Sequence, residues 1–125
     1  MKKVIAVLVM CSATLGMGAA HAHGTPTPNH GGVVQAVGET WLELVAKSGA
    51  VELYVEDDGE AMDSAPMSGK VTVVDGAKKS EYTLKPAGGN KLEAAGAVVP
   101  KGAKVVTVLV MADKKTKVAA TFTPQ

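Results

Sequence analysis

The feature that most constrains this chain is a period-two alternation of apolar and polar residues, repeated in short runs with turn residues between them. Val51, Leu53 and Val55 alternate with Glu52, Tyr54 and Glu56. Val71 and Val73 follow Lys70; Tyr82 and Leu84 alternate with Glu81, Thr83 and Lys85; Val118, Ala120 and Phe122 alternate with Lys117, Ala119 and Thr121. Successive strand side chains point to opposite faces, so each run predicts a strand with one face in the core and one in water. Ser48-Gly49, Asp58-Gly59, Asp75-Gly76, Gly88-Gly89-Asn90, Lys101-Gly102 and Asp113-Lys114 fall between the runs. That rhythm, a turn signal roughly every 10 residues, predicts an all-β, Ig-like β-sandwich of about seven to eight short antiparallel strands.

Two runs break the alternation. Trp41 to Val45 and Val105 to Met111 are apolar at nearly every position, the pattern of central strands covered on both faces. Leu53, Val73, Leu84, Val108 and Phe122 are the expected core. Trp41 and Tyr82 fit a core place better than an open stacking platform. The proline-bearing stretch from Glu60 to Gly69 predicts a loop crossing between the sheets, and Ala94-Ala95-Gly96-Ala97 is too short and glycine-broken for a helix.

The start of the chain follows a different logic. Lys2 and Lys3, the apolar run from Val4 to Met10 and the small residues from Gly16 to Ala22 predict a secretory signal peptide over residues 1–22. A flexible His/Pro/Gly lead over 23–31 and a sandwich domain over 32–125 follow. Removing the first 22 of 125 residues leaves 103, and losing the two lysines leaves 11 basic residues against 12 acids, a formal charge of −1. Such a chain lacks the basic surface of a nucleic-acid-binding domain, and no run approaches the ~18 apolar residues of a membrane span. Periplasmic or secreted localisation is the expectation. The single cysteine, Cys11, falls within the signal, so the mature chain holds no thiolate site. Met10 stands where a lipoprotein box needs a small residue.

Chemistry-bearing residues gather at the same end. Cleavage after Ala22 makes His23 the first residue, offering an α-amine and an imidazole to one metal ion. Cleavage after Ala20 gives His21-Ala22-His23, whose amine, backbone amides and third-position imidazole form a square-planar nest. Both suit Cu(II) or Ni(II), and His30, seven residues on, adds another imidazole. Met62 and Met67 in the crossing loop and Met111 at a strand end are soft donors that suit Cu(I), although methionines more often fill core gaps. The acidic run Glu56 to Glu60 with Asp63 lacks the spacing of a calcium loop. No phosphate loop is present and no histidine lies beyond residue 30 to act as a general base, so a non-enzymatic protein is expected.

His30-Gly31-Gly32, then Gly38-Glu39 leading to Trp41-Leu42-Glu43-Leu44-Val45, then Val51 to Val55 running into Asp58-Gly59, together resemble the β-sandwich near the N-terminus of periplasmic adaptor subunits of heavy-metal efflux systems. Lys70 to Val73, Tyr82 to Pro86 with Leu92-Glu93-Ala94, and the closing pair Val105 to Met111 and Val118 to Phe122 keep the order of that module. Here it stands without the coiled-coil hairpin and lipoyl-like parts of an adaptor. His23 also gives the chain a likeness to small Ig-like periplasmic copper carriers, some of which begin with histidine. The resemblance implies a periplasmic protein that handles copper or another divalent metal near an efflux system. The rival expectation is a metal-free sandwich that docks on a transporter or envelope partner through a sheet edge. A copper oxidase with a His23 and His30 brace would need an aromatic substrate surface that the sequence does not offer.

Overall fold

The computed structural model describes residues 24–124, so the segment expected to be a signal peptide, with Cys11 and His21, and His23 after it lie outside the described residues. Among these the chain is all-β, with strands β1 (Val33–Val37), β2 (Thr40–Lys47), β3 (Ala50–Asp57), β4 (Glu60–Ala61), β5 (Ser68–Asp75), β6 (Lys78–Pro86), β7 (Lys91–Ala95), β8 (Lys104–Val110) and β9 (Lys117–Phe122). The strand beyond the expected seven to eight is the two-residue β4, which pairs only with the end of β3.

All pairings are antiparallel, in the order β1-β2-β3-β7-β6-β5-β8-β9. The switch between layers is made within β6. Its first seven residues, 78–84, pair with β5, whereas Lys85 and Pro86 pair with Glu93 and Leu92 of β7. β9, at the far end of the order, packs beside β1 and β2, so the two layers nearly close into a barrel. The loop after β4 carries the chain from one layer to the other, as the proline-bearing stretch predicts.

The core lies between the layers and is built from the alternating sets. Leu42, Leu44, Val51, Leu53, Val55, Leu92 and Ala94 face Val71, Val73, Leu84, Val105, Leu109, Val118 and Phe122, all of them buried. Register explains the match: Leu42 sits opposite Val55, and Leu44 opposite Leu53, which in turn faces Leu92 on its other side. With no disulfide available, burial of these aliphatic side chains is the main source of stability.

The expectation for β8 is off by one residue. Val105, Thr107 and Leu109 point inward and are fully buried, while Val106, Val108 and Val110 are only half-buried on the outer face. Val108 is therefore not core, and β8 is covered on one face rather than two. The exception that misleads the pattern is Thr107, whose hydroxyl donates to the carbonyl of Ala120 on β9 at 3.4 Å. That bond lets a polar residue occupy a central inward position. Trp41 and Tyr82 are also half-buried rather than core residues.

Candidate functional site

The site grows from one residue in β2. Glu43 stands between Leu42 and Leu44, on the face of the strand turned away from the core, where a carboxylate would ordinarily meet water. Instead it is only 6% exposed. The cover is the chain before β1, which folds back over the sheet and delivers its amides to this one side chain. Glu43 Oε1 accepts from the Asn29 amide at 3.0 Å and from His30 Nδ1 at 2.9 Å. Oε2 accepts from the amides of His30 and Gly32, both at 2.8 Å. Each oxygen thus has two donors, which satisfies an acceptor taken out of water. The Asn29 side-chain amide donates to Glu56 Oε2 at 3.0 Å, tying the same segment to β3.

The two glycines after His30 have separate local causes. Gly31 adopts a φ of +77°, which turns the backbone so that amides on either side converge on one anion. Gly32 is required by contact, since a Cβ there would lie 2.3 Å from the Leu44 carbonyl oxygen and 2.9 Å from Val45 Cγ2. His30-Gly31-Gly32 and Leu42-Glu43-Leu44, two of the segments on which the resemblance rests, are therefore two halves of one structure. Gly32→Ala should cost about 1 to 3 kcal/mol by overpacking, more than Gly31→Ala, where only the left-handed conformation is penalised by about 1 to 2 kcal/mol. Thermal denaturation of the two variants, with exchange of the residue-30 amide as a local readout, checks the ranking.

The His30 ring is fixed from a second side. It stacks on Tyr54, the residue directly opposite Glu43 on β3, with ring centroids 3.6 Å apart and planes 7° from parallel. The Tyr54 hydroxyl donates to Glu52 Oε1 at 3.0 Å. Glu52, 5% exposed, also takes the ammonium groups of Lys47 and Lys91, each at 3.3 Å.

Burial works to raise the Glu43 carboxyl, but the imidazole of His30 and the amides of Gly32, Asn29 and His30 more than offset it and hold the group below its ordinary value. For Glu52, burial is likewise outweighed by the Tyr54 hydroxyl and the two lysines, so it too stays low. Burial, and then donation to the Glu52 carboxylate, push the Tyr54 phenol up. Both carboxylates are therefore ionised at neutral pH and the phenol keeps its proton. An ionised Glu43 only accepts, so Nδ1 of His30 carries the proton and a neutral ring has its lone pair at Nε2. The ring keeps 40% of its side-chain surface exposed, and Nε2 has no hydrogen-bond partner among the described residues.

A carboxylate bound to one imidazole nitrogen is the usual second-layer support for a metal-binding histidine. Glu43 itself cannot serve as a ligand without releasing its donors. The arrangement offers one nitrogen donor and no oxygen donor, a chemistry that favours copper, nickel or zinc over magnesium or calcium. One imidazole does not make a complete site, and no group of three or more His, Cys, Asp or Glu residues able to hold a metal occurs among the described residues. The space enclosed between the lead and the sheet is about 10 Å³, room for at most one water molecule.

The other expected ligands are placed differently. Met67 is 3% exposed within the core, Met62 is half-buried and packed against that core, and Met111 likewise. These positions give all three a packing role, on the opposite side of the sheet from His30. The residues that sequence reasoning passed over are Glu43 and Tyr54. An acid alone within the apolar run Trp41 to Val45 was the available signal. No protein-family model, curated protein or solved structure matches the chain.

Proposed function

We propose that this is an exported, non-enzymatic metal-handling protein that takes copper, or a similar divalent ion, on its N-terminal histidines and buffers or delivers it near an efflux system. The observation that carries the reading is the His30 imidazole, held at Nδ1 by a buried carboxylate and left partly exposed, with no partner for Nε2 among the described residues. On this reading, removal of a signal peptide supplies the remaining donors, the α-amine and imidazole of His23 or the nest begun by His21. The described chain supports it further by ending its lead against the sheet. A Cβ on Gly24, the residue after His23, would meet Trp41 at 3.5 Å, and Trp41 shares the outer face of β2 with Glu43.

The test is a Cu(II) titration at neutral pH of protein exported through its own leader, with mass spectrometry fixing the first residue. An extra residue ahead of the mature start should lower the affinity at least about tenfold, because the amine and imidazole donors no longer chelate together. His30→Ala should lower it further. Equal affinity in all three proteins, or none in any, overturns the proposal. That result would favour the second reading, a sandwich that docks on a transporter or envelope partner, for which the half-exposed Val106, Val108 and Val110 on the outer face of β8 provide an apolar strip.

A further inference from the structure

We infer that Tyr54 is a positioning residue for His30, keeping its imidazole in one orientation and one tautomer so that Nε2 is its only available donor. The inference deepens the metal-handling reading and rests on it for its consequence, but the positioning is a property of the metal-free protein. Glu43 alone fixes one atom of the ring. A single hydrogen bond at Nδ1 leaves the imidazole free to swing about that contact, and a half-turn about Cβ–Cγ would put Cδ2 in the place of Nδ1 and break the bond that fixes the tautomer. The parallel face of Tyr54 at 3.6 Å removes that freedom, because any swing out of plane breaks the stack.

Tyr54 is itself held at its far end. Its hydroxyl is bound to Glu52, and Glu52 is clamped by Lys47 from β2 and Lys91 from β7. The rigidity of His30 therefore derives from three neighbouring strands and two buried carboxylates, although His30 itself lies outside any strand. A donor fixed in advance loses less orientational freedom on coordination than a freely rotating one.

The experiment is nitrogen-15 NMR of the imidazole in metal-free wild type, Tyr54→Leu and Tyr54→Phe, followed by Cu(II) titration of each. Wild type should show protonated Nδ1, unprotonated Nε2 and His30 ring protons shifted by the Tyr54 face. Tyr54→Phe keeps the stack and should stay within about twofold of wild type in affinity. Tyr54→Leu should give exchanging tautomers and an affinity lower by roughly threefold to tenfold, up to the low end of second-layer effects, because the Glu43 bond itself is kept. Two mixed tautomers in wild type, or a Tyr54→Leu spectrum with the wild-type tautomer, overturns the inference; where the leucine variant folds poorly, Tyr54→Phe decides, since His30 ring protons shifted as in wild type uphold the stack and unshifted ones overturn it. A scrambled tautomer in Tyr54→Leu, with no Cu(II) bound by wild type, upholds the positioning and overturns the metal-handling reading instead.

Discussion

Phe122→Ala is expected to cost about 3 to 5 kcal/mol, through lost transfer energy and the cavity left behind. For a domain of this size that corresponds to a fall in the thermal midpoint on the order of 20 °C, measured by circular dichroism at 218 nm or by calorimetry. The size of the effect follows from position. Phe122 is the only phenylalanine in the chain and is fully buried, opposite Val105 of β8. Its strand, β9, ends the hydrogen-bonded order and packs beside β1 and β2, so the ring anchors to the core the strand that borders the seam where the layers approach closure. No ladder of hydrogen bonds joins β9 to β1, and side-chain packing is what holds that seam. Because Glu43 is organised by the lead and the outer face of β2, the variant should retain the His30 and Tyr54 ring-stacking signature below its lowered midpoint. An unchanged midpoint would mean that the seam is not sustained by Phe122.

The inward sets of β3, β5 and β6 were legible because in each a polar residue separates the apolar ones, and that of β9 because Lys117 and Thr121 fix the outward face. β8 was not legible in the same way. Past Lys104 its only polar residue, Thr107, points inward, and a rule that sends polar groups outward shifts the register by one. What the rule lacks is the Ala120 carbonyl, which comes from another strand. The lead illustrates the same limit. Pro26 and Pro28 suggest a free segment, and nothing local contradicts that, since the acceptor for the Asn29, His30 and Gly32 amides lies eleven or more residues away in sequence. His30 was legible as a candidate donor, and Glu43 was visible only as an acid inside an apolar run. The link between them is a tertiary fact, and so is the Tyr54 stack.

Glu43→Ala is expected to destabilise the protein by about 2 to 4 kcal/mol, and to do so at neutral pH. Four donors lose their acceptor, yet the cost stays below four full penalties of ~1 to 3 kcal/mol because water reaches the lead once the carboxylate is gone. Glu43→Gln, which keeps the shape but offers one acceptor oxygen, should lose less and should release the lead first, seen as faster exchange of the Asn29, His30 and Gly32 amides. The pH dependence has a definite sign. The Glu43 carboxyl is held below its ordinary value in the folded state, so the unfolded chain binds the proton more readily. Its contribution to stability is present in full above the unfolded value of 4.5 and is lost as the pH falls from there through the lower folded value. Glu52, lowered as well, adds to the same acid limb. Denaturant melts at neutral pH and at successively lower pH should therefore show wild type losing stability on the acid side, with the loss reduced but not abolished in Glu43→Gln, since Glu52 still titrates. An acid limb identical in the two proteins would show that the buried carboxylate is not what latches the lead to the sheet. The presentation of His30 would then need another cause, because its Nδ1 contact and the amides of Asn29, His30 and Gly32 depend on that same ionised group.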